Sequence, residues 1–94
     1  MIIGRVEGAI YSTIHHPFYA NRRLLIVRQL DIHGRPTPDY LIAVDSVDAG
    51  MGETVLVINE GNSARQVMDD PVAPVRSVIV GIIDEIQVAG EEKA

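Results

Sequence analysis

Histidine and serine are the side chains here that most readily do metal or nucleophilic chemistry. A zinc site needs three or four ligands that converge on one point, but His15 and His16 are neighbours that point to opposite sides of an extended segment, and His33 stands apart from them. Ser63 lacks a G-x-S-x-G setting and a nearby base, so it is better interpreted as a helix cap. The G-M-G run at residues 50–52 lacks the remaining parts of a phosphate loop and is interpreted as a turn. The sequence predicts no catalytic residue, no metal site and no cofactor.

The carboxylates are the remaining candidates for acid–base chemistry, but the sequence places no two of them together in space; adjacent pairs such as those at 69–70 and 84–85 are ordinarily solvated turns or strand alternation. Asp84 differs from the rest because it falls on the apolar side of the last predicted strand, where an unpaired charge is costly. Two interpretations stay open: an arginine pairs with Asp84, within the chain or across a subunit boundary, or the strand twists and exposes it. The candidate partners are Arg5, Arg28, Arg65 and Arg76.

The elements that must position these residues are predicted to be strands. The composition is 47% hydrophobic but only 4% aromatic, and apolar and polar positions alternate with period two from the N-terminus, with Gly4 and Gly8 on the apolar side. Gly34 is predicted to be a left-handed turn residue. The predicted strands cover residues 2–14, 23–30, 40–45, 54–59 and 77–88. The fold class is therefore all-β: a small five-stranded, OB-like antiparallel barrel with one short helix, at 64–68, between strands 4 and 5.

Length and charge limit the classes of protein that remain. A chain of 94 residues has room for one core, so a single domain over 1–94 is expected, with 89–94 as a frayed tail. The net charge of −5 disfavours binding to nucleic acid or to an anionic membrane surface. No cysteine, signal sequence or apolar run of membrane-spanning length is present, so a cytoplasmic protein is expected.

Four motifs in order carry a resemblance to a known family. They are G-R-V-E-G-A-I at 4–10 followed by L-L-I-V at 24–27, A-V-D-S-V-D-A-G-M-G-E-T-V-L-V at 43–57, G-N-S-A-R at 61–65, and P-V-R at 74–76 followed by V-G-I-I-D at 80–84. On these motifs nearly the whole chain resembles the EutN/CcmL family of shell pentamers from carboxysomes and metabolosomes. It departs from the family pattern at Asn21, Asp48, Asn62 and Arg76.

The resemblance implies a structural shell protein whose homopentamers cap the vertices of a bacterial microcompartment, with hexameric and trimeric shell proteins as partners. It places the protein in the cytoplasm, within the microcompartment shell. It implies that Gly61, Asn62 and Ser63 lie at the central pore. Arg65 is expected at a subunit interface or fixing a loop, an ordinary exposed arginine being the alternative, and Asp84 is assigned to the same kind of position because its charge falls on the apolar side of its strand.

Two other classes of function are weighed against this interpretation. An OB-fold module for single-stranded nucleic acid would need aromatic and cationic side chains on one barrel face, which one Phe, three Tyr and a net charge of −5 do not favour. A small enzyme whose carboxylates meet only in an oligomer is the second alternative. The resemblance favours neither.

Overall fold

A closed five-stranded barrel is the architecture of this chain. The computed structural model describes residues 1–10, 22–60 and 77–90. The strands are β1 (Ile2–Ile10), β2 (Leu24–Leu30), β3 (Pro36–Asp45), β4 (Thr54–Asn59) and β5 (Ser77–Ile82). They follow one another around the barrel in the order β1-β2-β3-β5-β4. The predicted all-β barrel is thus confirmed, and the predicted helix at 64–68 falls outside the described residues.

Four of the five strand pairs are antiparallel, as predicted. The fifth pair, β3 with β5, is parallel and is short, joining Val44 to Val78 and Asp45 to Ile79. A closed ring with an odd number of strands cannot alternate in direction all the way round. One parallel seam is therefore the geometric consequence of closing five strands into a barrel.

A bulge in β1 changes which face its glycines occupy. Gly4 is inward and buried, as its place on the apolar side predicts, and a Cβ there would collide with Val27 and approach the Arg28 carbonyl oxygen to 3.0 Å. The register slips between Val6 and Gly8, so Gly8 pairs with outward-facing Ile26. The prediction that Gly8 shares the apolar inner side is therefore wrong, because one extra residue in a strand exchanges its two faces.

Two strands have different ends from those predicted. β3 begins at Pro36 and not at residue 40. Proline has no N–H to donate, but among the described residues the first part of β3 pairs only with β2, so no second strand requires that donor. β5 ends at Ile82, not at residue 88. The Ile83 N–H still donates to the Thr54 oxygen at 2.8 Å, but β4 starts at Thr54 and offers no further partner.

The core fills the inside of the barrel with small and β-branched side chains. Every strand contributes to it, and Ala49 adds a side chain from the loop after β3. The core residues are Val6, Leu25, Val27, Ala43, Ala49, Val55, Val57 and Ile79. The described ranges contain no helix that is long and apolar enough to cross a membrane. Gly34 has a φ of 79° in the turn between β2 and β3, as predicted.

Candidate assembly surface

The loop between β3 and β4 carries the longest of the sequence motifs, and a buried carboxylate holds it together. The Asp45 side chain is only 3% exposed. Its Oδ1 accepts the N–H groups of Val47 at 3.1 Å and Ala49 at 3.2 Å, and its Oδ2 accepts from Arg23 Nη1 at 3.3 Å. Asp48, 95% exposed, pairs with the same arginine at 3.2 Å and has a φ of 58°. The arginine thus ties the loop to the start of β2.

The second half of the same loop is fastened to β1. Glu53 Oε1 accepts the Gly50 N–H, the Gly52 N–H donates to the Val6 oxygen at 2.9 Å, and the Val6 N–H donates to the Glu53 oxygen at 3.0 Å. Gly52 has a φ of 81°, a value that favours glycine. The carboxylates of the motif are therefore occupied in holding the barrel end together, and the G-M-G run is a turn, as predicted.

The outer side of β2 and β3 exposes an apolar surface. Because Leu25 and Val27 point into the core, Ile26 and its pairing partner Ile42 point outward, and Arg28 is paired with Tyr40 on the same side. Tyr40 is 63% exposed and Ile42 39% exposed. We refer to Ile26, Tyr40 and Ile42 as the tyrosine face. Exposure of these apolar side chains to water is unfavourable, so the face is a candidate contact surface.

Arg28 fixes Tyr40 in place. Its Nε donates to Glu7 Oε1 at 2.8 Å, its Nη1 donates to the Pro38 oxygen at 3.0 Å, and its guanidinium carbon lies 5.7 Å from the centre of the Tyr40 ring. The hydrogen bond from Arg28 is the main cause that lowers the pKa of Glu7, and the same bond raises the pKa of Arg28. The cation is therefore bonded to β1 through Glu7 and to β3 through Pro38, and its plane lies beside the Tyr40 ring.

A second, flatter apolar surface lies on the outer side of β1, β4 and β5. Leu56 points outward because Val55 and Val57 are in the core, and it pairs with Ile3 on β1 and with Gly81 on β5. A Cβ added at Gly81 would meet no atom of the described residues within 4 Å. We refer to Ile3, Leu56 and Gly81 as the glycine face. The missing side chain leaves bare backbone beside an apolar leucine.

The structure places one of the five predicted site residues. Asp84 follows the end of β5 and is exposed, and among the described residues it forms no ion pair, while its candidate partner Arg28 is committed to Glu7. Asp84 is exposed because the strand ends before it, and its candidate partners Arg65 and Arg76 lie outside the described residues. The other four predicted positions lie outside the described residues: Gly61, Asn62, Ser63 and Arg65.

Outside these surfaces, the part of the chain that the structure describes has few groups that could bind a ligand or a metal ion. A shallow recess of about 250 Å³ is lined by His33, Thr54, Ile86 and the segment 83–85. His33 lies in the exposed β2–β3 turn, as predicted, whereas His15 and His16 fall outside the described residues. Across 1–10, 22–60 and 77–90 no three His, Asp or Glu side chains gather where they could hold a metal ion.

The exposed side chains that form the two faces were missed at the level of sequence. Tyr40 and Ile42 alternate with inward-facing residues that are also apolar, so the sequence pattern alone does not indicate which side of the strand is buried. Gly81 stands in an apolar run where a glycine signals only a weak strand position. The alternation of residues along each strand was the available signal for these side chains. It identifies the outward-facing ones only once the strand register shows which side faces the core.

Comparison with known proteins gives one consistent result. The model of the family described as ethanolamine utilisation protein EutN/carboxysome matches residues 1–84. The bacterial microcompartment shell vertex protein EutN of Salmonella typhimurium is 37% identical to this chain, over 97% of the chain and 91% of the relative.

Solved structures agree in fold over nearly the whole chain. The structure of Gloeobacter violaceus CcmL superposes with a TM-score of 0.87 at 38% identity and covers 95% of this chain and 91% of that one. The GrpN pentameric microcompartment shell protein from Rhodospirillum rubrum superposes with a TM-score of 0.84 at 32% identity and covers 94% of this chain and 99% of that one.

Proposed function

The chain belongs to the EutN/CcmL family, and from that premise we propose that it is a structural shell protein, five copies of which close into a ring that caps the vertices of a bacterial microcompartment. The observation that carries the proposal is the family match over residues 1–84, which takes in all five strands. Relatives matched over nearly their whole length are named shell vertex proteins. The chain is a structural protein rather than an enzyme.

The described surface suits a subunit that works by contact. The loop carboxylates are engaged in holding the barrel end, and the exposed apolar side chains lie on the outside of the sheet instead of in a pocket. Flat layers of hexameric tiles cannot enclose a volume without corners of lower symmetry. A small barrel that associates laterally into a five-membered ring supplies such a corner.

In this proposal the ring adjoins hexameric and trimeric shell proteins, and the protein resides in the cytoplasm within the shell. Gly61, Asn62 and Ser63 keep their predicted place at the central opening, and Arg65 keeps its predicted role at an interface or in fixing a loop. The exposure of Asp84, with no ion-pair partner among the described residues, supports its predicted place at a subunit boundary.

Native mass spectrometry of the purified full chain tests the ring. A dominant five-subunit species is expected, and a stable monomer or dimer at high concentration would contradict the proposal. A six-subunit ring would leave the family assignment intact but remove the corner geometry. In cells, a fluorescently tagged copy should co-localise with co-expressed hexameric tiles and should be diffuse when the tiles are omitted.

The nucleic-acid alternative is not favoured by the described surface. The tyrosine face shows one exposed aromatic ring, and the cation beside it is already bonded to Glu7. A binding face for single strands needs several aromatic platforms and cations that remain available to phosphates. Tight, salt-dependent retention of oligonucleotides in a filter assay would revive this alternative.

A further inference from the structure

We infer that Asn59 and Ser77 are positioning residues for the central opening: their side chains are hydrogen-bonded to each other and hold together the two ends of the segment 61–76. That segment contains residues 61–63, which the proposed function places at the opening, so the inference rests on the proposed function. The inference concerns the two barrel residues that flank the segment, and it adds no contact within the segment itself.

The segment 61–76 leaves the barrel and returns to it at paired positions. β4 ends at Asn59 and β5 begins at Ser77, and these two residues are partners in the antiparallel register of the two strands. Gly61 follows Asn59 by only two positions. Because the chain is covalently continuous and short here, the placement of Asn59 sets the point from which the opening residues extend.

A side-chain hydrogen bond joins the two flanking residues. The Ser77 hydroxyl donates to Asn59 Oδ1, and Ser77 is only 8% exposed. A hydroxyl group removed from water needs a partner inside the protein, and Asn59 supplies it. The residue pair that ends the β4–β5 ladder is therefore held by its side chains as well as by its place in the register.

Stability alone does not account for this polar pair. Two apolar side chains of similar shape could fill the same positions, and replacing both partners of a buried hydrogen bond by apolar groups is often nearly neutral. A hydrogen bond requires one distance and one direction, whereas an apolar contact tolerates sliding, so the bond fixes how the two strand ends stand relative to each other. A fixed geometry is what is needed at the base of a segment that every copy in a ring must present in the same way.

The start of β5 is also fastened on its other side, and this second bond provides a matched control. The Ser46 hydroxyl, just after β3, donates to the Ile79 oxygen across the short parallel seam. Both bonds are made by part-buried serine hydroxyls. Ser46 and Ser77 differ in one respect that matters here: the bond of Ser77 closes the base of the segment 61–76, whereas the bond of Ser46 reaches β5 two residues further along.

Hydrogen exchange of the full chain, measured by mass spectrometry, tests the pair. In Ser77→Ala and in Asn59→Ala we expect the amides of 61–76 to exchange about five- to tenfold faster than in the natural chain, the effect of one lost hydrogen bond on a local opening equilibrium. The double variant should exchange no faster than either single variant, because both remove the same bond. Asn59→Asp keeps the acceptor oxygen and should exchange like the natural chain. Ser46→Ala should leave the exchange of 61–76 unchanged.

Two further readouts separate a positioning role from a purely structural one. We expect the faster exchange to be confined to 61–76, and native mass spectrometry of each variant to show the same five-subunit species as the natural chain. Faster exchange throughout β4 and β5, or loss of the five-subunit species, would show that the pair merely stabilises the barrel, and the inference would be wrong. Asn59 is half-buried, so Asn59→Ala tests the bond even if Ser77→Ala does not fold.

The remaining outcomes distinguish this inference from the proposed function. Unchanged exchange of 61–76 in both single variants, effects that add up in the double variant, or the same increase in Ser46→Ala would each overturn the inference. If the natural chain is not a pentamer, the proposed function fails, whereas the exchange rates still decide whether Asn59 and Ser77 hold the segment.

Discussion

Asp45 and Asp48 form a matched pair for testing what holds the β3–β4 loop. Both carboxylates contact Arg23, at 3.3 and 3.2 Å, but the Asp45 side chain is 3% exposed and that of Asp48 is 95% exposed. Asp45 also accepts the backbone N–H groups of Val47 and Ala49, whereas within 1–10, 22–60 and 77–90 the arginine is the one partner of the Asp48 side chain. Replacement of each in turn therefore separates the buried hydrogen bonds from the ion pair.

The expected magnitudes differ several-fold. Asp45→Ala leaves the N–H groups of Val47 and Ala49 without their acceptor, and each buried unsatisfied group costs about 1–3 kcal/mol, so we expect a loss of about 3–4 kcal/mol. Domains of this size have a total stability of about 5–14 kcal/mol, so the loss is a large fraction of it. Asp48→Asn removes an exposed ion pair worth less than about 1 kcal/mol, and asparagine tolerates the positive φ.

Urea unfolding followed by circular dichroism measures both effects. All variants are compared at one subunit concentration, because association adds to the apparent stability. Asp45→Asn should fall between the two, since it keeps an oxygen for the backbone N–H groups but places an amide against Arg23. Equal midpoints for Asp45→Ala and Asp48→Asn would refute the reasoning, because the loop would then owe its stability to the ion pairs with Arg23.

Three further predictions concern single positions. Asp48 has a φ of 58°, so Asp48→Ala should be less stable in urea than Asp48→Gly by about 1 kcal/mol, the strain that glycine avoids. Gly4→Ala should lower stability by about 2–3 kcal/mol through collision with the core, whereas Gly8→Ala, whose new methyl would be 3.4 Å from its nearest neighbour, should change it by less than about 0.5 kcal/mol; thermal melts compare the two. Arg28 lowers the pKa of Glu7 below the ordinary 4.5, so the pair stabilises the fold fully above that pH and less as pH falls through the folded pKa; in an NMR titration Arg28→Gln should return the Glu7 pKa to its ordinary range.

The strands themselves were largely predictable because period-two alternation and β-branched runs are local signals. β2 and β4 have almost the predicted bounds, and the start of β1 agrees. The errors arose where a distant partner decides the outcome. The β1 bulge turns Gly8 outward because of its pairing with Ile26, and β5 ends where β4 has no more residues to pair with. A local sequence pattern does not determine where the partner strand lies or where it ends.

The candidate surface was less accessible from sequence than the fold. The ordered motifs identified the family, yet the longest of them, at 43–57, is explained in large part by hydrogen bonds inside the barrel end. A motif can thus identify a family through residues whose hydrogen bonds hold the subunit itself together. Tyr40 and Gly81 became candidates only when the register showed which sides of their strands face outward, whereas Asp84 was a candidate from its position in the sequence pattern alone.

The parallel seam links the stability of the barrel to the proposed contacts. β3 and β5 are joined by only two residue pairs, at Val44 and Asp45, so this seam has the shortest ladder among the five strand pairs. Only folded subunits can bind one another in the proposed ring, so association stabilises the closed barrel against opening at this seam. Subunit folding and assembly are therefore coupled, and the unfolding midpoint should rise with protein concentration.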